Sequence, residues 1–560
     1  MRVAFLSNFT ISPLAEEVRN CCHHAGIAVE MYVGKLGQAH QEVLDLQSGL
    51  YRFAPQVTVL ALHPEFLAPD LWGQLPRLTP GEREARLGEL LGEVCTIASE
   101  IVRRLGGMVL VHNLPVPAFS PFGVRDFREA PGQKELFHRF NLELAAHLRP
   151  VPQAFVLDYD GVAARYGKDR MTDPKMHFLG ALEMTPGFLN LLAREHLRYL
   201  KPLCGLVRKC IVLDLDNTLW GGVVGEVGVG GLALGPVPPG NAFLAFQQAL
   251  ANLSQQGVLL AINSRNNMAD AMEAIREHPH MVLREEQFAG IRINWQDKVS
   301  NMRELATELR LGLDSLIFID DDPAERLAMR LRLPEVLTPE WPSDPARYPR
   351  ALQELDELES LGMTEEDRGR AAFYHAERER AHLRGEAATL EEYLARLEMR
   401  ARVADLTASD FPRASQLTLR TNQFNLTGGR YAEADLRRVL GDGSRGLGLW
   451  LRDRFGENGL VGLCLLAPRG RAWEILGFWM SCRVLGRGVE QTLLAVALEE
   501  ARRGGAEAVE GTFVPTAKNA PAAAFYPQQG FEPVEAGGLR FRLPLQRPLP
   551  PVPPWVKLEP

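Results

Sequence analysis

Two aspartates directly follow a short apolar run near the middle of the chain, and this arrangement constrains the fold more than any other feature. The apolar run at 210–213 precedes Asp214 and Asp216. A desolvated carboxylate costs several kcal/mol unless it is paired or bound to a metal, so two of them at a strand end indicate a site rather than a core. Open α/β sheets place ligands where parallel strands leave the sheet.

Further polar groups follow downstream, near the ends of other predicted strands. Their order along the chain is Ser264, Lys298, Asp320 and Asp321. A hydroxyl and an ammonium can hold phosphoryl oxygens, and a second carboxylate pair can complete the oxygen ligands of a hard cation. One of the first two aspartates can attack phosphorus while the other protonates the leaving oxygen. The pattern therefore predicts a phosphate-handling site that uses Mg²⁺.

This order of groups resembles the haloacid dehalogenase (HAD) superfamily of phosphotransferases over residues of about 209 to 340. The resemblance implies that Asp214 is the nucleophile and that Asp216 is the general acid and base. It implies phosphate or substrate contacts from Thr218, Ser264 and Lys298. The metal ligands that it implies are Asp214, Asp216, Asp320 and Asp321.

A second candidate site lies in a glycine loop that follows an apolar strand at 473–480 and opens a helix. Glycines there let backbone N–H groups converge on an anion at the helix N-terminus. The pattern resembles the GNAT acyltransferase fold, in which this loop holds the pyrophosphate of coenzyme A. The ligand need not be coenzyme A, because an acyl carrier protein carries the same pantetheine arm, attached through a single phosphate. The resemblance implies pantetheine contacts from Arg483, Gly486, Gly488 and Asn519.

Five longer motifs make the resemblance more specific: KCIVLDLDNTLWGGVVGEVG, DSLIFIDDDPAERLAMR, TNQFNLTGGRY, FGENGLVG and FWMSCRVLGRGVE. Together they resemble the FkbH-like glyceryl transferase and phosphatase family, which joins a HAD-superfamily subfamily IIIC domain to a C-terminal GNAT-like domain. The resemblance covers residues of about 160 to 535, and departs from the family at Val227 and Arg265, where Asp and Lys are usual. It implies that glyceryl from 1,3-bisphosphoglycerate is dephosphorylated and loaded on the phosphopantetheine of an acyl carrier protein in polyketide biosynthesis.

Acyl transfer from an acyl phosphate to a thiol suits a cysteine thiolate. Cys482 is the favoured nucleophile because it adjoins the glycine loop, with Arg483 and a helix N-terminus nearby. Cys210 is the rival, although its place on an apolar strand favours a core role. Direct transfer to pantetheine, without a cysteine intermediate, is the third possibility.

Alternating strand and helix patterns predict an α/β multidomain protein with parallel sheets. The predicted divisions are an N-terminal α/β domain at 1–190, a HAD-like domain at 205–345, a helical connector at 346–397, a GNAT-like domain at 398–545 and a proline-rich tail at 546–560. The N-terminal domain distantly resembles SGNH hydrolases but lacks their Gly-Asp-Ser signature, so Ser7 is interpreted as a structural hydroxyl. His177 is interpreted as a surface or packing residue rather than a base.

Composition limits the partners. A net charge of -8 argues against a general nucleic-acid binder, and no segment approaches the ~18 apolar residues of a membrane helix. Seven cysteines without regular spacing indicate reduced thiols and a cytoplasmic location. Two other hypotheses stay open: a HAD phosphatase fused to a coenzyme-A-dependent N-acyltransferase, and a non-catalytic scaffold. The complete set of site residues argues against the scaffold.

Overall fold

The computed structural model describes residues 1–362, 370–421, 423–441, 444–516, 519–535 and 538–559. Their contacts divide the chain into two compact units. The N-terminal unit comprises Met1–Lys209 and residues 350–362, and the second unit comprises Cys210–Pro349 and the described residues from 370 onward. The segment predicted as a connector is thus shared between the two units rather than separate from them.

The N-terminal unit contains a five-stranded parallel sheet in the order β2-β1-β3-β4-β5. Its strands are β1 (Arg2–Ser7), β2 (Glu30–Val33), β3 (Val57–Ala61), β4 (Met108–His112) and β5 (Ala154–Leu157). Every residue of β3 and β4 is buried, as expected for a parallel sheet covered on both faces. Ser7 is buried, and its Oγ accepts a hydrogen bond from the Phe9 N–H at 3.1 Å, which is a structural role.

Helices of this unit connect the strands. Their bounds are Ser12–His24, Ala39–Leu44, Gly49–Phe53, Pro64–Leu67, Pro69–Gly73, Pro80–Leu105, Gln133–Leu148, Tyr159–Tyr166, Lys168–Met171, Pro174–Gly180 and Pro186–Leu203. The longest, Pro80–Leu105, begins with a capping box between Thr79 and Glu82, which satisfies N–H groups that the first turn leaves free. No helix in the described part of the chain is both long and apolar enough to cross a membrane.

The second unit begins with a four-stranded parallel sheet in the order β8-β7-β6-β9. The strands are β6 (Cys210–Leu213), β7 (Leu259–Ser264), β8 (Phe288–Ile293) and β9 (Leu316–Ile319). Leu213 pairs with Ile262 and Ile319, so the polar residues that follow these three positions lie at one edge of the sheet. The helices here are Val224–Val227, Gly240–Gln255, Met268–Glu277, Lys298–Glu308 and Pro323–Arg332, and the helix Tyr348–Gln353 begins in this unit.

An eight-stranded, mostly antiparallel sheet completes the second unit, in the order β15-β16-β14-β13-β12-β11-β10-β17. The strands are β10 (Met399–Asp405), β11 (Arg445–Asp453), β12 (Gly456–Arg469), β13 (Ala472–Met480), β14 (Ala508–Thr512), β15 (Glu532–Pro533), β16 (Arg540–Pro544) and β17 (Val556–Glu559). The helices are Arg370–Glu386, Leu390–Arg396, Phe411–Arg420, Glu433–Gly441, Val489–Arg503 and Phe525–Gln528. Leu493, Leu494 and Leu498 bury one face of the helix Val489–Arg503 in the core of this sheet.

The predicted proline-rich tail is not simply an extended surface segment. Its last residues form β17, which pairs in parallel with β10. Trp555 is partly buried against the core, and its Nε1 donates a hydrogen bond to the Arg487 carbonyl at 2.8 Å. Pairing with β17 covers an edge of the sheet whose backbone groups otherwise lack partners, which explains why this segment folds back.

Candidate functional site

Three aspartate side chains meet at the edge of the four-stranded sheet where β6 and β9 end. One carboxylate oxygen each from Asp214, Asp320 and Asp321 lies within 4.8 Å of the other two. Asp214 and Asp320 are buried, and Asp214 Oδ1 has no aligned hydrogen-bond donor among the described residues. Three hard oxygen donors, whose negative charge a single nearby ammonium offsets only in part, fit Mg²⁺, which prefers carboxylate oxygens at about 2.0–2.1 Å.

Lys298 lies beside two of these carboxylates. Its Nζ is 2.9 Å from Asp214 Oδ1 and 2.6 Å from Asp320 Oδ2. Burial lowers the pKa of Lys298, but the two carboxylates raise it more, so the ammonium stays charged. Asn263 holds the start of the helix Lys298–Glu308, because Asn263 Nδ2 donates to the Lys298 carbonyl at 2.8 Å. The fold therefore places one fixed cation against an acidic cluster, which suits the binding of phosphate oxygens.

The side chain of Asp216 lies outside the three-carboxylate cluster. Its Oδ1 accepts hydrogen bonds from Trp220 Nε1 at 2.8 Å and from the Val224 N–H at 3.1 Å, and its Oδ2 accepts one from Asn266 Nδ2 at 2.8 Å. Burial raises the pKa of Asp216 although these bonds lower it. A carboxyl group with a raised pKa is suited to donating a proton. Of the four predicted metal ligands, the structure thus clusters three.

Two other predicted residues lie at the same edge. Thr218 Oγ1 is 3.4 Å from Asp321 Oδ1, and Ser264 is the buried last residue of β7. Sequence reasoning assigned no role to Trp220 or Asn266 in holding Asp216. For Trp220 the sequence did contain a signal of this contact, because Trp220 lies four residues after Asp216.

Arg265 stands where the family that the chain resembles usually has Lys. It forms an ion pair with Glu325 at 2.8 Å. Its side chain is about half exposed, so this contact contributes little to stability.

Mg²⁺ is expected to stabilise the protein more at alkaline than at acidic pH. Burial and the nearby Asp214 raise the pKa of Asp320 to about 7, against about 3.9 for a free carboxyl. The native state then holds more protons than the unfolded state between these values, so metal-free stability falls as pH rises through this window. Mg²⁺ offsets the repulsion between the ionised carboxylates. The measurement is the Mg²⁺-induced rise in unfolding temperature at about pH 5 and about pH 8.

The control for this prediction is Asp320→Asn, which removes the titrating group. We expect the difference between the two pH values to shrink in this variant. An equal Mg²⁺ effect at both pH values in the unchanged protein would contradict the prediction.

The glycine loop joins β13 to the helix Val489–Arg503. Gly486 and Gly488 have φ values of +75° and +80°, which favour glycine. A Cβ on Gly488 would lie 2.8 Å from Pro553, so the C-terminal segment packs on the loop. Arg483 is half-buried, and the structure does not describe the side chain of Cys482. The predicted role of Cys482 therefore stays a prediction.

An acidic side chain already lies at this helix N-terminus. Burial raises the pKa of Glu490, while hydrogen bonds from the N–H groups of Glu490 and Gly486 lower it. The Oε2 of Glu490 is buried with no hydrogen-bond partner among the residues that the structure describes. The loop thus has the form of an anion site but holds a carboxylate of its own.

Along the second half of β13, β14 is not its neighbour. The segment with Phe424, Asn425 and Leu426 hydrogen-bonds to β13 there instead. β13 pairs with β14 only over Ala472–Ile475. Beyond this point the Met480 N–H donates to the Phe424 carbonyl at 3.0 Å, and the Leu426 N–H to the Phe478 carbonyl at 3.2 Å. A ligand arm that is to pair with this part of β13 must therefore displace this segment.

Asn519 supports the same segment rather than an open ligand site. Its Nδ2 donates to the carbonyls of Asn425 and Val514, each at 2.9 Å, and its Oδ1 accepts from the Thr516 N–H at 2.7 Å. Asn519 is fully buried. In this structure the Asn519 amide is used by the surrounding backbone, so its pantetheine contact stays a prediction that would require these bonds to change.

Cys210 is unsuited to nucleophilic attack. It lies in β6 with no exposed surface, and burial raises the pKa of its thiol. A buried thiol in apolar surroundings is not ionised at neutral pH. Of the nucleophiles predicted for acyl transfer, Cys210 is disfavoured by its burial, and Cys482 and direct transfer stay predictions.

Comparisons with known proteins find relatives of two regions of the chain. The profile of the acetyltransferase (GNAT) family matches residues 411–531. The C-terminal region is a GNAT domain. The N-terminal part is similar to a crystal structure of the N-terminal part of a Bacteroides fragilis protein, which contains a phosphatase domain and was complexed with Mg. The two share 26% identity with a TM-score of 0.60, over 65% of this chain and 95% of that one.

Two solved acetyltransferase structures are similar to the chain over about a quarter of its length. An N-acetyltransferase from Staphylococcus aureus has 11% identity and a TM-score of 0.21, and covers 26% of this chain and 98% of its own. The PaiA N-acetyltransferase from Thermoplasma acidophilum, in complex with coenzyme A, has 16% identity and a TM-score of 0.21, over 25% and 96%. No curated protein matches the chain significantly.

The predicted fold class is confirmed. The chain is a multidomain α/β protein with a GNAT domain at its C-terminus and a HAD-type phosphatase-like fold in the part of the chain that precedes this domain. Both domains are of enzymatic type.

Proposed function

We propose that this chain is a bifunctional enzyme that transfers the glyceryl group of 1,3-bisphosphoglycerate to the pantetheine thiol of an acyl carrier protein. The thioester forms as the C1 phosphate leaves as inorganic phosphate, and the phosphate at C3 is removed by hydrolysis. The observation that carries the phosphatase half is the cluster of Asp214, Asp320 and Asp321 with Lys298 inside it. The acyl half and the polyketide context rest on the resemblance of the longer motifs.

The placement of the aspartates supports the proposed phosphatase step. Asp214 attacks phosphorus, the bond to the C3 oxygen breaks, and Asp216 protonates that oxygen; water then hydrolyses the aspartyl phosphate. Lys298 holds the transferring oxygens, and burial, which raises the pKa of Asp216, favours the proton-carrying form that this step needs. Mg²⁺ bound by Asp214, Asp320 and Asp321 would add positive charge against the phosphate.

Two observations favour a carrier-bound phosphopantetheine over coenzyme A as the acyl acceptor. Glu490 already places a carboxylate at the helix N-terminus, and Pro553 packs on Gly488. Both reduce the charge and the space that the loop offers to a pyrophosphate, whereas carrier phosphopantetheine brings a single phosphate. The carrier protein also brings its own binding surface, which coenzyme A lacks.

The test is intact-protein mass spectrometry of a holo carrier protein incubated with the enzyme, Mg²⁺ and freshly generated 1,3-bisphosphoglycerate. We expect a glyceryl increment on the carrier. An increment on the enzyme that is lost in Cys482→Ala would identify the covalent intermediate. Phosphate release without any increment on either protein would rule out the acyl-transfer proposal.

The second candidate is a HAD phosphatase fused to a coenzyme-A-dependent N-acyltransferase. The match of residues 411–531 to the acetyltransferase family favours it. This function requires coenzyme A thioesters and an amine acceptor, and needs no carrier protein. Transfer from acetyl-coenzyme A to an amine, with none to a holo carrier, would support it over glyceryl transfer.

Replacing Glu490 by Gln is expected to tighten binding of the phosphopantetheine phosphate. The change removes a negative charge at the helix N-terminus, an effect we estimate at about 3- to 10-fold in the dissociation constant. The measurement is calorimetric titration with holo carrier protein. Glu499→Gln, on the exposed C-terminal half of the same helix, is the control and should leave the constant unchanged. Unchanged or weaker binding in Glu490→Gln would mean that the phosphate does not bind at this helix end.

A further inference from the structure

The N-terminal unit contains a cavity of about 580 Å³ that none of the steps above uses. Polar and aromatic side chains line it together, among them His63, Glu65, Trp72, Lys168, His177 and Glu183. His63 comes two residues after the end of β3, next to the point where the strand order of the sheet changes direction. Ligands of open α/β sheets bind at this location.

His63 is buried with unused hydrogen-bonding capacity. Only 6% of its surface is exposed, and its Nδ1 has no hydrogen-bond partner among the described residues. The backbone around it is fixed, because the His63 N–H donates to Asn8 Oδ1 at 2.7 Å and Asn8 Nδ2 donates to the His63 carbonyl at 3.0 Å. An imidazole held in place with free nitrogen capacity is a common metal ligand.

Two carboxylates lie against this imidazole. One ligand atom each from His63, Glu65 and Glu183 lies within 4.8 Å of the other two, and His63 Nε2 is 3.8 Å from Glu183 Oε2. Donors about 2.0–2.2 Å from a tetrahedral ion are about 3.4 Å apart, so small side-chain movements would close the set. Only 3% of the Glu183 side chain is exposed, and a buried carboxylate needs a cation or several donors.

His177 supports this set from one side. Its Nδ1 is 2.8 Å from Glu183 Oε1, and its Nε2 is 3.5 Å from Glu65 Oε2. A histidine bonded to a ligating carboxylate orients that carboxylate, as partners of metal ligands commonly do. The interpretation of His177 as a surface or packing residue is therefore incomplete, since it contacts both carboxylates at the cavity.

We propose that the N-terminal unit binds a divalent transition-metal ion of the Zn²⁺ class through His63, Glu65 and Glu183, with His177 as a positioning residue. Imidazole nitrogen with carboxylate oxygen favours such an ion over Mg²⁺, which prefers oxygen ligands alone. Three protein ligands leave a coordination position for a water or a ligand oxygen, as in catalytic rather than structural zinc sites. The proposal is independent of the function of the aspartate site.

The experiment uses the full-length protein, freed of metal by a chelator and kept in excess Mg²⁺ to occupy the aspartate site. Zn²⁺ is titrated by calorimetry, and Co²⁺ serves as a probe whose visible absorption reports nitrogen and oxygen ligation. We expect one Zn²⁺ per chain. Asp214→Asn should bind Zn²⁺ as the unchanged protein does, which separates this site from the aspartates.

The ligand variants make the test specific. We expect His63→Gln and Glu183→Gln to weaken Zn²⁺ binding by about 100-fold, and His177→Gln by about 10-fold. Glu65→Gln keeps the proposal testable if the substitutions at the buried residues prevent folding. Its side chain is 34% exposed, so this change disturbs packing least. His138→Gln, on the exposed face of the helix Gln133–Leu148, is the matched control and should have no effect.

Circular dichroism and the unfolding temperature of the metal-free variants establish that each one folds. Absence of Zn²⁺ binding in the unchanged protein overturns the proposal. Binding that persists unchanged in folded Glu65→Gln and His63→Gln overturns it as well.

Discussion

Replacing Asp214 by Asn is expected to reduce phosphate release by about 1000-fold or more. The amide cannot act as the nucleophile, and it removes one of the three clustered carboxylates at the metal site. The fold should persist, because Asn has nearly the same volume and Lys298 keeps its contact with Asp320 at 2.6 Å. The measurement is steady-state phosphate release from a phosphomonoester with Mg²⁺, because 1,3-bisphosphoglycerate also loses its C1 phosphate by acyl transfer.

Asp270→Asn is the matched control, since Asp270 lies in the first turn of the helix Met268–Glu277, outside the cluster. Its phosphate release should stay close to that of the unchanged protein. In Asp214→Asn, the proposed function further predicts a phosphoglyceryl rather than a glyceryl increment on the carrier. Release within about tenfold of the unchanged protein would contradict the assignment of Asp214 as nucleophile.

Replacing Asp453 by Ala is expected to destabilise the second unit by about 3–5 kcal/mol. The Asp453 side chain has no exposed surface and accepts two hydrogen bonds from Arg380, at 2.8 Å from Nε and 2.7 Å from Nη2. Arg487 of the glycine loop approaches the same carboxylate, with its Nη1 at 3.7 Å. The variant leaves a buried guanidinium without its main partner. Denaturant unfolding followed by circular dichroism measures the loss.

Glu499→Ala is the control for this prediction. Glu499 pairs with Arg502 on a helix surface where 40% and 46% of the two side chains are exposed, so the change should be within about 1 kcal/mol. Adding Arg380→Met to Asp453→Ala should recover part of the lost stability, because it removes the unpaired charge. Equal stabilities of Asp453→Ala and Glu499→Ala would show that the buried pair contributes no more than an exposed one.

The helix Arg370–Glu386 illustrates how far composition can mislead. Its density of Glu and Arg predicts a solvated connector. In the structure Arg380 is buried and joins this helix to the end of β11 through Asp453, while Arg378 Nη1 donates to the Phe288 carbonyl of β8 at 2.9 Å. The difference arises because an arginine can bury its aliphatic stem when its head group finds a partner, and the partner is distant in sequence.

The strands show the same limit of prediction from local sequence patterns. The strands that bear Asp214 and Asp320 are predicted because they are continuous apolar runs. The sequence does not predict β8 (Phe288–Ile293), because Gly290 and Arg292 interrupt its apolar pattern. It lies at the edge of its sheet, where a strand has only one neighbour and tolerates exposed polar residues.

The sequence by itself determined the phosphatase-like and GNAT folds and the aspartate site, because strand ends, glycine turns and the order of polar groups are local patterns. Parallel register then brings Asp214 and Asp320 to one sheet edge. Only the tertiary structure decided which distant groups meet. His63 with Glu183, Arg380 with Asp453, and Asn519 with Asn425 depend on how helices and loops pack, and local periodicity does not record that packing.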